Sequence, residues 1–252
     1  MKHGARILAA LTFAVLGAAL CACQNTKPEP EAPPSQADPV QAEEAPVEYP
    51  IEIAPGEETF SAAPLTDEII ETITGVSWKE NEKVPLDALS LLTLSYVGFD
   101  GKRYTGQMIA AAEVGEELAD IFRELYEAGF PIERMQLIDT YGADDNASMA
   151  DNNTSAFCYR EIAGTDVLSN HSFGKAVDIN PVQNPYVRGD VVQPEDSRDY
   201  MNREDVRPGM ITPGDVCYNA FTSRGWSWGG EWSGTGVTDY QHFEKETQPD
   251  HQ

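Results

Sequence analysis

The chain has 252 residues and a formal net charge of −25 at pH 7. That length holds one ordinary domain with appendages, and a two-lobed solute-binding protein would need more chain. So acidic a surface excludes nucleic acid as a partner and excludes electrostatic docking on anionic lipid.

The N-terminus, "MKHGARILAALTFAVLGAALCAC", starts basic at Lys2 and Arg6 and continues as an apolar run of signal-peptide length. The run is too short and wrongly flanked for a membrane span. It ends in Leu20-Cys21-Ala22-Cys23, which resembles a bacterial lipoprotein signal. That resemblance implies a signal peptide over residues 1–22, cleavage before Cys23 and lipid on its thiol. The expected location is extracytoplasmic, with the lipid anchor as the sole membrane attachment. Residues 23–64 are dominated by proline, alanine and acids, with few large apolar side chains, and are expected to form a disordered spacer. The folded domain is expected over 65–246, followed by a polar tail over 247–252.

Within that domain, Thr66 caps a predicted helix over "DEIIETITG", with Gly75 as its stop. "LSLLTLSYVGF" and "RYTGQMIAAAEV" flank Asp100-Gly101, a turn pair that predicts a β-hairpin. Leu118, Ile121, Phe122, Leu125 and Tyr126 recur at helical spacing, with Gly129 as terminator, and this stripe reads as core packing. "PIERMQLID", "SAFCYREI", "KAVDIN" and "YQHFEK" read as strands. Few helices and an antiparallel hairpin give an α+β class, a small, mostly antiparallel sheet flanked by helices. Cys158 and Cys217 are the body's two cysteines; a bridge and two buried thiols are both open to them.

The chemistry concentrates around two histidines, His171 in "SNHSFGKAVDIN" and His242 in "TDYQHFEKE". On one straight strand His171 and Asp178 would stand roughly 23 Å apart on opposite faces. A helix would set them about 10 Å apart on one face, but the intervening residues carry no helical stripe. A shared ligand therefore needs a bend, which Gly174 permits and the small Ala176 accommodates. Nitrogen and carboxylate donors suit zinc, and a catalytic zinc keeps three protein ligands. His171 and Asp178 supply two and His242 is the third candidate. Asp239, three residues ahead of His242, can face the same site across a tight turn without being a ligand.

These two stretches resemble the VanY-like D-alanyl-D-alanine carboxypeptidase family of zinc peptidases, which includes dipeptidases and L-alanyl-D-glutamate endopeptidases. Ser169, His171, Gly174, Ala176 and Asp178 match its SxHxxGxAxD motif, and Asp239 with His242 matches the second. Some members carry glutamate where Asp239 stands. The resemblance is read over about Leu89 to Glu246. It implies a hedgehog/DD-peptidase-like zinc domain, one zinc ion held by His171, Asp178 and His242, and Asp239 as general base. It also implies an arginine ahead of the first motif that binds substrate and steadies the oxyanion. Arg160 fits by position, though the glutamine that usually follows shortly after is missing, and Ser155 is a further candidate lining the cleft. Glu231 is a lesser rival for the base, and Glu244 is a candidate to orient His242. The tryptophans of "GWSWGGEWSG" read as core or cleft wall.

The expected activity is that of a monomeric zinc D,D-carboxypeptidase releasing terminal D-alanine from peptidoglycan stem peptides. The alternatives are an L-alanyl-D-glutamate-type endopeptidase and a non-catalytic cell-wall-binding lipoprotein.

Overall fold

A computed structural model of the chain describes residues 49–246, apart from residues 163, 233 and 235. The expected signal peptide, Cys23, the spacer up to residue 48 and the tail over 247–252 lie outside the described residues. Among those described, no helix is long and apolar enough to cross a membrane.

The first half is a four-stranded antiparallel sheet covered by a long helix. Its strands are β1 (Ile51–Glu52), β2 (Phe60–Pro64), β3 (Leu89–Val97) and β4 (Arg103–Ala111), in the order β1-β4-β3-β2. β3 and β4 form the predicted hairpin, paired from Leu89↔Ala111 to Val97↔Arg103, with Gly101 at positive φ in its turn. Helix α1 (Asp67–Ile73) starts where expected, with Thr66 Oγ1 accepting from Ile69 N–H. α2 (Ala112–Ala128) follows β4 directly and ends at Gly129 in the left-handed conformation. Val114, Leu118, Ile121, Phe122 and Leu125 are buried from this helix against Leu92, Leu94 and Met108 of the sheet. The expected spacer is corrected here: residues 51–64 contribute β1 and β2, the latter paired with β3 from Phe60↔Leu94 to Pro64↔Ser90. Phe60 and Ala62 pack against the core, and together with the strand pairing they seat an otherwise acidic, proline-rich segment.

The second half is assembled from short pieces. β5 (Arg134–Met135) pairs in parallel with β6 (Asn153–Thr154), with α3 (Asp145–Ala150) between them. β7 (Ala176–Asp178), β8 (Tyr186–Arg188), β9 (Val191–Gln193), α4 (Val216–Thr222), β10 (Ser227–Trp228), β11 (Val237–Asp239) and β12 (His242–Glu244) complete the chain. They form two further antiparallel sheets, β10-β12-β7 and β11-β8-β9. The class is mixed α/β with several small sheets where one was expected. Two of the four predicted strands do not form as such: "PIERMQLID" yields two strand residues and then a 3₁₀ turn over Ile138–Tyr141, and "SAFCYREI" makes isolated bridges at Ser155↔Asp178 and Glu161↔Leu168. Cys158 and Cys217 are both free and buried.

Candidate metal centre

Strand alternation sorts the two motifs between core and site. In β7 and β12, Val177 and Phe243 point into the core, where Phe243 stacks on Phe221 with ring centroids 4.2 Å apart. Asp178 and His242 point the other way and face each other directly across the antiparallel pair. His171 arrives from a 3₁₀ turn over Asn170–Phe173, capped by the Ser169 hydroxyl, which accepts from His171 N–H. Gly174 ends that turn at φ 64°. A Cβ on Gly174 would overlap the backbone of Ala110 and Ala111, so the bend also lets the loop lie against the end of β4. The glycine between the two candidate ligands thus supplies the bend that its place in the sequence predicts.

Three donor atoms meet in consequence. His171 Nε2 lies 3.2 Å from Asp178 Oδ2, His242 Nδ1 lies 3.0 Å from Asp178 Oδ1, and the two imidazole nitrogens are 3.3 Å apart. Zinc bonds of about 2.0–2.1 Å in a tetrahedral site would separate its donors by roughly 3.3 Å, so this triangle fits such an ion. The outer nitrogens are committed elsewhere. His171 Nδ1 donates to the Ala156 carbonyl at 2.5 Å, and His242 Nε2 donates to Glu244 Oε2 at 3.1 Å. A carbonyl and a carboxylate can only accept here, so in the neutral form each ring turns its remaining lone pair inward, as a metal requires. Glu244 is itself held by Asn170, whose Nδ2 donates to it at 2.6 Å. Glu244 therefore orients His242.

The electrostatics are those of charged groups packed closely out of water. Burial disfavours charge on Asp178, yet the adjoining His171 and His242 outweigh that and hold its carboxyl well below the usual range. Burial likewise opposes charge on His242, but its contacts to Asp178 and Glu244 push its pKa up to about 10. Asp239 behaves oppositely: burial and then the Asp178 charge raise it well above an ordinary carboxylate.

Asp239 closes β11 and lines the same cavity of about 910 Å³ as the three donors. The turn from Asp239 to His242 is fixed on several sides. Trp228 Nε1 donates to the Tyr240 carbonyl at 2.8 Å, Ile179 N–H donates to the Gln241 carbonyl at 3.0 Å, and Arg203 lies over the Tyr240 ring. Gly229 gives Asp239 room, since a Cβ there would overlap its backbone. Buried Asp239 Oδ1 has no hydrogen-bond partner among the described residues, a costly state that a proton-bearing ligand would relieve.

Arg160 and Ser155 also line the cavity. Ser155 exchanges backbone hydrogen bonds with Asp178, at 3.0 and 2.9 Å, and so flanks the ligand strand. Arg160 is anchored through its backbone to the Ser172 hydroxyl and through Nε to Asp145, an ion pair the sequence did not signal. Asp145 is the first residue of α3, which the adjacent Asp144 caps. Glu231 accepts from Tyr218 OH at an exposed position and does not line the cavity, so it is no rival to Asp239. Of the tryptophans, Trp226 and Trp228 are core, whereas Trp232 lines the cavity with its ring 5.3 Å from that of His242.

No curated protein and no solved structure matches the chain. Residues 163–245 match the family described as D-alanyl-D-alanine carboxypeptidase, of the M15 peptidases. The match begins well after Leu89, so Ser155 and Arg160 lie outside it while the three donors and Asp239 lie within. Over the segment that carries its candidate metal site, this chain is similar to the VanY-like M15 peptidases.

Proposed function

We propose that the protein is a zinc-dependent carboxypeptidase that trims peptidoglycan stem peptides and releases terminal D-alanine, held outside the cytoplasm as a monomer by lipid on Cys23. The observation that carries this reading is the meeting of His171, Asp178 and His242 beside the buried Asp239, whose Oδ1 has no partner among the described residues, in a cavity of peptide-end size. The family match supports the peptidase chemistry, and a hedgehog/DD-peptidase-like fold is part of the same reading. The charge-poor apolar run ending at Cys23 supports the location.

His171, Asp178 and His242 would hold the ion. Zinc, when bound, supplies polarisation of the scissile carbonyl and acidification of a water. Asp239 accepts the proton of the attacking water; a carboxylate whose surroundings raise its proton affinity is suited to that task and to returning the proton to the leaving amine. Arg160, fixed at Nε by Asp145, keeps its terminal nitrogens for the oxygen that gains charge. Ser155 lines the cleft beside the ligand strand and contacts the bound peptide.

Mass spectrometry of defined stem peptides treated with the zinc-loaded protein tests the reading. Loss of one alanine mass is expected. A cut between L-alanine and D-glutamate would instead make the protein an endopeptidase. No turnover despite stoichiometric zinc would make it a non-catalytic wall-binding lipoprotein.

A further inference from the structure

One wall of the cavity is the sheet β11-β8-β9. Its cavity-lining members are Val237, Asp239, Tyr186, Arg188, Val191 and Gln193, alternate positions on each strand and hence one face. The pairing register sorts them into two cross-strand rows. Asp239, Tyr186 and Gln193 stand in the first; Val237, Arg188 and Val191 stand in the second. Directly opposed Cβ atoms in such rows lie about 4.5–5.5 Å apart and diagonal neighbours about 7–8 Å. Arg188 is therefore the diagonal neighbour of Asp239, near enough for its long side chain to reach a group bound at the site.

The cavity has two guanidinium groups among its described lining residues, Arg160 and Arg188. Arg160 is engaged at Nε by Asp145. Arg188 is exposed, and among the described residues no hydrogen bond or ion pair engages its side chain. Its row neighbours are both valines, and Val191 is itself half exposed. A cation bracketed by two aliphatic side chains matches a carboxylate carried on a residue with a small apolar side chain.

We propose that Arg188 is the specificity residue for the free C-terminal carboxylate of the substrate, with Val237 and Val191 taking the small side chain beside it. The inference rests on the peptidase reading above and deepens it: peptides ending in a free carboxylate are selected over amidated or extended ones, and Arg160 is left to the scissile carbonyl. Because Arg188 is solvated when the cleft is empty, the selection it supplies is modest, about tenfold.

The test separates binding from turnover. Zinc-loaded Asp239→Asn protein is titrated in a calorimeter with acetyl-L-lysyl-D-alanyl-D-alanine and with its C-terminal amide. The free acid is expected to bind about tenfold more tightly. Adding Arg188→Gln is expected to erase that preference while leaving the amide's affinity unchanged, and Arg160→Gln in the same background is expected to retain it. Persistence of the preference in the Arg188→Gln protein, or its absence with Arg188 intact, overturns the proposal. Hydrolysis of the same peptides by protein with Asp239 intact reports on the peptidase reading separately. An acid preference that depends on Arg188, without any hydrolysis, would support the carboxylate anchor and overturn the peptidase.

Discussion

The β1–β4 sheet with α2, and the segment from Asn153 to Glu244, hold their shape by different means. In the first, nine-residue strands and a seventeen-residue helix bury continuous apolar faces, and Leu92, Leu94, Met108, Leu118, Ile121 and Phe122 are almost wholly inaccessible. In the second, strands of two or three residues bury too little to fix themselves, and buried amides complete the framework. Asn184 Nδ2 donates to the carbonyls of Ile179, Asn180 and Gly209, while its Oδ1 accepts from Ile211 N–H and from Arg203. Asn180 bridges Pro131 and Glu133 in the same way. Area stabilises the scaffold; a satisfied polar network positions the site, and such a network tolerates few changes.

The contrast implies that chemistry and stability can be broken separately. The largest effect is expected at Asp239, which contributes a buried, unpartnered carboxylate oxygen and no donor to the metal triangle. Asp239→Asn should keep stoichiometric zinc and an unchanged melting curve while kcat falls about 10²–10⁴-fold, the range for loss of a positioned general base. Zinc content by emission spectroscopy and single-turnover kinetics measure the two sides. Near-native kcat in this variant would transfer the base role elsewhere.

The reverse case is Leu118→Ala, at the centre of the α2 face and fully buried. Removing those methyl groups should cost about 2–5 kcal/mol of unfolding free energy, according to how far the cavity collapses. Chemical denaturation measures it. Zinc affinity of the folded protein should stay within about threefold of native, since none of the three donors belongs to the core cluster that buries Leu118. A parallel fall in zinc affinity would show that the two halves are energetically one.

What the sequence disclosed follows the same division. The hairpin, the α2 stripe and its Gly129 cap were legible because local pattern and long elements coincide there. The convergence of the candidate donors was legible too, because His171, Asp178 and His242, with Gly174 between the first two, sit at spacings that make chemical sense only if the chain bends. The wall of the cleft was not. Tyr186, Arg188 and Gln193 lie on three-residue strands without a readable period, and their common face emerges only from the register with β11. Asp145 was hidden because its partner Arg160 is brought to it by tertiary folding, and β2 because only Phe60 and Ala62 mark its packing face within an acidic segment.

Solution pH offers a milder handle that acts on the site and spares the scaffold. Without metal, His242 is an imidazolium between two carboxylates, Nδ1 facing Asp178 and Nε2 facing Glu244, with a pKa of about 10. An incoming zinc ion needs the Nδ1 lone pair and must displace that proton. Below the raised pKa the proton stabilises the metal-free state, so raising pH removes a competitor and strengthens binding. Apparent zinc affinity should thus rise about tenfold per pH unit through neutrality, read by competition with a chelator of known protonation. The proton on His242 and the metal then compete for one nitrogen. A flat profile would mean that His242 is already neutral before zinc arrives, and that Asp178 and Glu244 do not jointly hold its charge.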